Sequence, residues 1–299
     1  MTISPAASTR TALAGEPRLL LNPELAVLHR PDGTVQLGWG PQTATVVHPP
    51  EGTDAFDVGV LLRLLDGGRT RDEVLTAAVE RGVGPGPASV LLDELTASGT
   101  VRPAPSPGSG PVRPHRVRVY GSGPLATAIV EHVSLWDVRW VRSPAGDEEC
   151  RATVAADCVV LADMPIPDPR LVRSLMRAGT PHLAVRIRDG HGVVGPFVFP
   201  GRSSCLRCAD LVRTDLDPSW PRLAAQLYGR PGRAGRAVAA ATAAVAVGQL
   251  DAYFSTDPAV RPMVDRTVEI DLHAHRITTR RWFRHPECDC SPISPDRQA

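Results

Sequence analysis

Lysine is missing from this 299-residue chain, and all 33 basic residues are arginine. A P-loop ATPase needs a lysine in its phosphate cradle, and a Schiff-base enzyme needs one as nucleophile, so both classes are excluded. Aromatic residues are scarce at 4%, so any core must be built from Ala, Val and Leu, for which 42% hydrophobic residues suffice. Asparagine occurs once; with the missing lysine it reads as the mark of a GC-rich genome. Net charge is only +1, so no global field points to nucleic acid or an anionic membrane. Residues 1–17 contain no apolar run of the kind secretion needs, so a cytoplasmic location is expected. The least polar stretch, 234–250, follows an arginine cluster and is rich in Ala rather than Leu or Ile. It reads as a buried or dimer-facing helix, not a membrane span, and leaves a homodimer open. Six cysteines argue for metal or thiol chemistry rather than a disulfide scaffold.

At ~150 residues per domain the length suggests two domains. The Pro/Gly/Ser-rich stretch from Arg102 to Pro114 can form neither a helix nor a central strand. It divides the chain into 18–102 and 115–291, with 103–114 as linker. In the first part, Leu25–His29 and Val35–Leu37 flank a Pro31-Asp-Gly33 turn, which predicts a hairpin. Apolar residues at helical spacing over 56–65 predict a helix capped by Asp54 and stopped by Gly67-Gly68. Thr70 and Glu73 form a capping box for a second helix, and 87–98 predicts a third. A hairpin and three short helices predict a winged-helix α+β domain. DNA binding is disfavoured, because the third helix carries Asp93 and Glu94 and no arginine.

In the second part, Arg116–Tyr120 enters Gly121-Ser-Gly123 and a helix, the opening of a Rossmann-like unit whose third glycine position holds Ala126. Strands at 138–141, 158–162 and 181–187, with a helix at 169–178, predict a parallel α/β sheet. Two close pairs, Cys205/Cys208 and Cys288/Cys290, match a tetrahedral structural zinc site, with His285 as a substitute ligand and a redox pair at 205/208 as the alternative. Cys150 and Cys158 read as an incidental thiol and a buried strand residue. His273 and His275, placed on a strand, read as solvent-facing.

The segments HRPDGTVQLG, LLRLLDGGRTRDEVL and LLDELTASGTV resemble the PqqD-like recognition element, a winged helix that binds the leader of a ribosomally made precursor peptide. The resemblance implies strand addition along the 25–37 hairpin, with Leu25, Val27, Val35 and Leu37, flanked by Leu91 and Leu95 of the third helix. Arg69 and Arg71, near Arg63, favour an acidic leader, whereas Asp93 and Glu94 favour a basic one. The segments GPFVFPGRSSCLRCADL, DLDPSWPRLAAQL and HPECDC resemble the ubiquitin-activating-like (ThiF, MoeB) family. Within it they resemble the ThiF-like partner proteins of azole- and azoline-forming peptide clusters. That implies a ubiquitin-activating-like α/β domain in which Gly121, Gly123 and Asp163 mark a vestigial nucleotide site, Asp163 at the position of the magnesium ligand. With no S-N-L-x-R-Q segment and no lysine, ATP binding on this chain is not expected, and Asp163 reads as a solvated strand-end or cap residue.

The expected function is leader binding and presentation in a cyclodehydratase system, with a separate YcaO-type enzyme as partner and zinc as a structural cofactor. Alternatives are an adenylating enzyme acting on a peptide or sulfur-carrier C-terminus, and a winged-helix DNA-binding regulator.

Overall fold

A computed structural model of the chain describes residues 16–104, 114–136, 138–143, 156–255 and 260–290. Cys150, most of the 103–114 linker and the first fifteen residues lie outside the described residues. The chain folds as two compact units, 1–109 and 110–299.

In the N-terminal unit the order is β1 (Arg18–Leu21), β2 (Val27–His29), β3 (Val35–Leu37), β4 (Thr45–Val47), α1 (Ala55–Leu64), β5 (Asp66–Thr70), α2 (Arg71–Val79), α3 (Pro85–Ala97) and β6 (Val101–Pro103). Both helix-start signals operate. Asp54 accepts from the Phe56 and Asp57 amides, and Thr70 and Glu73 exchange their two capping bonds. The strands form two antiparallel sheets, β2-β3-β4 and β5-β1-β6. Three features depart from the sequence expectation. Gly67-Gly68 stops the first helix but belongs to β5, where Gly67 takes φ +83°. β4 makes the hairpin three-stranded. The linker's first residues pair as edge strand β6, where a proline is tolerated. Val35, Leu37, Leu61, Leu91, Leu92 and Leu95 are fully buried in one core.

The C-terminal unit contains β7 (His115–Tyr120), α4 (Pro124–Val133), β8 (Val138–Ser143), β9 (Cys158–Ala162), α5 (Pro169–Arg177), β10 (His182–Arg188), β11 (His191–Val198), α6 (Leu206–Leu216), α7 (Trp220–Leu227), α8 (Arg236–Phe254), β12 (Arg266–Asp271) and β13 (Arg276–Arg281). One seven-stranded sheet has the order β13-β12-β11-β10-β9-β7-β8. Strands β8, β7, β9 and β10 are parallel, as expected, but β11, β12 and β13 are antiparallel. The reversal follows from Asp189-Gly190, both at positive φ, which turn β10 directly into β11. His273 and His275 fall in the turn between β12 and β13 rather than on a strand.

The Ala-rich helix α8 is long and apolar enough to cross a membrane by length and composition. Here Val238, Ala243, Ala246, Val247 and Leu250 pack it into the core with Ile129, Val185 and Phe197. Cys158 is buried in β9, and that burial pushes its thiol pKa up.

Candidate functional site

Two sites of the C-terminal unit are built on helix N-termini. The first contains the two cysteine pairs. Cys205 immediately precedes α6 and Cys208 lies in its first turn, while Cys288 and Cys290 flank Asp289 in a turn beyond β13. All four Sγ atoms lie within 4.8 Å of one another. Cys205 is 3.7 Å from Cys208 and 3.5 Å from Cys288, and Cys208 is 3.3 Å from Cys290. Four sulfurs held at ~2.3 Å from a central ion stand ~3.8 Å apart, so the donor set fits a tetrahedral metal ion.

The two turns are also tied from outside. Arg207 Nη1 donates to both carboxylate oxygens of Asp289 at 3.1 Å. Cys208 is pulled toward its thiolate by the Cys205 thiol that donates to it, that sharing together with burial pushes Cys205 up, and burial pushes Cys290 up. Four thiolates cannot coexist here without a positive charge among them. His285 is not a substitute ligand. Its Nε2 faces Asp215 Oδ2 at 2.8 Å and its Nδ1 accepts from the Glu287 amide, so both nitrogens are engaged elsewhere.

The second site is the crevice between the C-terminal ends of β7 and β9, where the chain order of the parallel strands switches. Gly121, Ser122, Gly123, Asp163 and the Gly229–Pro231 segment line it. Asp163 corrects the solvated reading: it is 8% exposed and takes φ +61°. Its Oδ2 accepts from the amides of Gly123 (2.9 Å) and Ala126 (3.0 Å), and its Oδ1 from Leu125 (3.1 Å). The carboxylate therefore caps α4 from across the sheet.

The glycines follow from this packing. A Cβ at Gly123 would meet Asp163 Cγ at 2.7 Å, and one at Gly121 would meet the Ala162 carbonyl oxygen at 2.7 Å. Arg142, which the sequence did not single out, closes the loop by donating to the Gly121 and Gly123 carbonyls at 3.0 and 3.3 Å. The space left is about 110 Å³, against the ~300–1,000 Å³ of ordinary ligand sites.

The residues expected to meet a leader are not assembled as one surface. Val35 and Leu37 belong to the central strand β3 and, like Leu91 and Leu95, are buried core residues with no face to offer a ligand. Leu25 packs against the same core. Val27 stays 40% exposed on the edge strand β2, beside Leu28. Arg69 pairs with Asp66 at 2.6 Å, and Arg71 pairs with Asp93 at 2.8 Å, so two of the opposing rim charges neutralise each other. The second free edge, β4, was missed because Thr45–Val47 is too short to show alternation.

No protein-family model matches the chain, and no curated protein does. Solved structures share its fold. The heterocyclase TruD aligns with a TM-score of 0.58 at 15% identity over 92% of this chain and 43% of its own. E. coli MccB with ATP aligns with a TM-score of 0.62 at 12% identity, over 92% of this chain and 99% of that one. The microcin C7 biosynthetic enzyme MccB in complex with N-formylated MccA gives 0.61 at 13% identity with the same coverage. The chain thus spans about two fifths of the heterocyclase and nearly all of MccB.

Proposed function

We propose that this protein binds the leader of a ribosomally made precursor peptide and presents its core to a YcaO-type cyclodehydratase, which forms azoline rings from Cys, Ser or Thr. The observation that carries the reading is the fold itself. Across 92% of its length it follows both a heterocyclase and MccB, a biosynthetic enzyme solved in complex with N-formylated MccA. The N-terminal unit is read as a winged-helix, PqqD-like recognition element of residues 18–102. The C-terminal unit is read as the ThiF-like domain of residues 115–291.

The chemistry on this chain is capture. An extended leader adds as a fourth strand at a free edge of the β2-β3-β4 sheet, where unpaired backbone groups supply affinity. Val27 and Leu28 on β2 are exposed apolar residues at that edge, available to read its side chains. Once the leader is held, the core is confined near the partner, and the tether raises its effective concentration there to the millimolar range typical of short flexible linkers. Cys205, Cys208, Cys288 and Cys290 would hold zinc, which supplies structural cross-linking. Gly121, Gly123 and Asp163 form a vestigial nucleotide site, its amides already bonded to Asp163. The protein is assigned to the cytoplasm, without nucleic acid or membrane as partner.

The adenylating alternative draws on the fold of MccB, which has been solved with ATP. The engaged Asp163 and the narrow crevice count against it. The test is reconstitution with a YcaO-type enzyme and a Cys/Ser/Thr-rich precursor peptide, read by mass spectrometry as loss of one water per ring. Ring formation that requires this chain and the intact leader is expected. Carboxylate-dependent ATP–pyrophosphate exchange by this chain alone would replace the reading with the adenylating one.

A further inference from the structure

A groove of about 900 Å³ runs between α5 and the cysteine turns, lined by Val172, Arg173, Met176, Arg177, Leu206 and Arg207 among others. Its volume is that of an ordinary ligand site. Helix α5 explains why it stays open. Leu171 and Leu175, four residues apart, face the core and are buried. Val172 and Met176 repeat that spacing one residue on, so they form a second apolar stripe that is only half-buried and floors the groove. Arg173 and Arg177 repeat it once more and stand exposed at the rim. Among the described residues neither has a hydrogen-bond or ion-pair partner. Across the groove the only carboxylate of the lining, Asp289, is already bonded to Arg207. Among the described residues the rim is therefore cationic and uncompensated over an apolar floor.

We propose that this groove docks an extended acidic–apolar peptide segment of a partner polypeptide. The spacing accommodates an extended chain. Arg173 and Arg177 are four helical residues apart, a rise of ~6 Å. Side chains two residues apart on a strand are ~6.8 Å apart. Carboxylates at i and i+2 thus match the two guanidinium groups, while the alternate residues drop toward Val172 and Met176. Arginine is suited to the task because its planar fork takes a carboxylate in a bidentate pair. The wall contributed by Cys205 and Cys290 makes the groove's shape depend on the metal turns. The groove lies wholly in the C-terminal unit, so it is separate from the leader site proposed for the N-terminal one.

The probe is a fluorescein-labelled octapeptide of alternating Glu and Leu, titrated into the full metal-loaded chain and followed by anisotropy. Saturable binding is expected. A Gln/Leu peptide should bind about tenfold more weakly, and a Lys/Leu peptide not at all. The double variant Arg173→Glu/Arg177→Glu should lose about tenfold in affinity for the Glu/Leu probe while its metal content and unfolding temperature stay at wild-type values, because both side chains are exposed. The milder Arg173→Gln/Arg177→Gln pair should fall between the two. Absence of saturable binding, equal binding of the Gln/Leu peptide, or unchanged affinity in both variants overturns the proposal. Complete displacement by pyrophosphate at equal concentration would show a small-anion site instead. Self-association abolished by the charge reversal would make a second copy of the chain the occupant. Either result also overturns it.

Discussion

Helices α4 and α6 both start where the backbone leaves a turn with its amides unpaired, and both ends attract negative charge. The chain answers the two ends in opposite ways. At α4 a carboxylate from the neighbouring strand takes three amides, and the crevice shrinks to about 110 Å³. At α6 the chain supplies four sulfurs within 4.8 Å of one another, more negative charge than the helix end can use. The first end is closed by the protein itself. The second is lined by donors arranged to hold a cation. The same structural element can thus be capped by the chain itself or lined with candidate metal ligands, and the difference lies in what faces it.

The largest effect should come from opening the second end. Cys288→Ser, or removal of the metal by a strong chelator, should release about one zinc per chain. Structural zinc sites contribute ~10–16 kcal/mol; even a loss of ~4 kcal/mol would lower Tm by about 8–16 °C for a unit of this size. Metal analysis and calorimetry check this, and a metal-free wild type with unchanged Tm would remove the distinction between the two ends.

Asp163→Ala should cost less, about 1–3 kcal/mol, because it leaves buried amides without an acceptor. Phosphate should then raise the Tm of the variant but not of the wild type, as an anion takes the place of the missing carboxylate. Equal response of both proteins would mean that Asp163 is not what closes that end. Next in size, Val27→Asp with Leu28→Asp should weaken leader binding about tenfold, whereas Asp163→Ala leaves it unchanged. Arg69→Glu should have a smaller effect, since Arg69 already pairs with Asp66.

An effect absent at neutral pH concerns His182, buried at the start of β10, where loss of hydration holds its pKa down at about 4. The unfolded chain, with a histidine pKa of ~6.5, binds the proton first. Stability is therefore full above pH 6.5 and declines as the pH falls toward 4. His182→Gln should flatten that part of the Tm–pH curve.

Much of this was readable from local chemistry. The capping boxes at Asp54 and Thr70, the turn at Gly121–Gly123 and the paired cysteines are short-range signals, and each has a physical requirement visible within a few residues. What could not be read was long-range. Nothing near Asp163 says that its carboxylate crosses to α4, nor that Arg142 reaches the same loop. Val35, Leu37, Leu91 and Leu95 look in sequence like an available apolar surface, but β4 pairs beyond β3 and the helices close over that surface. The Asp189-Gly190 turn was legible by the rule applied to Asp32-Gly33, and would have announced the antiparallel half of the sheet.

The 83-residue separation of Cys205 and Cys288 also sets an order in time. At ~5–20 residues per second a ribosome needs roughly 4–17 s to pass from one to the other. During that interval the nascent chain owns a C-x-x-C pair at a helix start but not its other two ligands. The first pair is then a two-thiolate site, open to exchange and oxidation, and becomes four-coordinate only once β12 and β13 have been synthesised and have brought the last turn across. Metal retention would therefore report that the sheet has been completed, and chains stalled between the two pairs should be recognisable in the cell as proteins with reactive thiols and no bound metal.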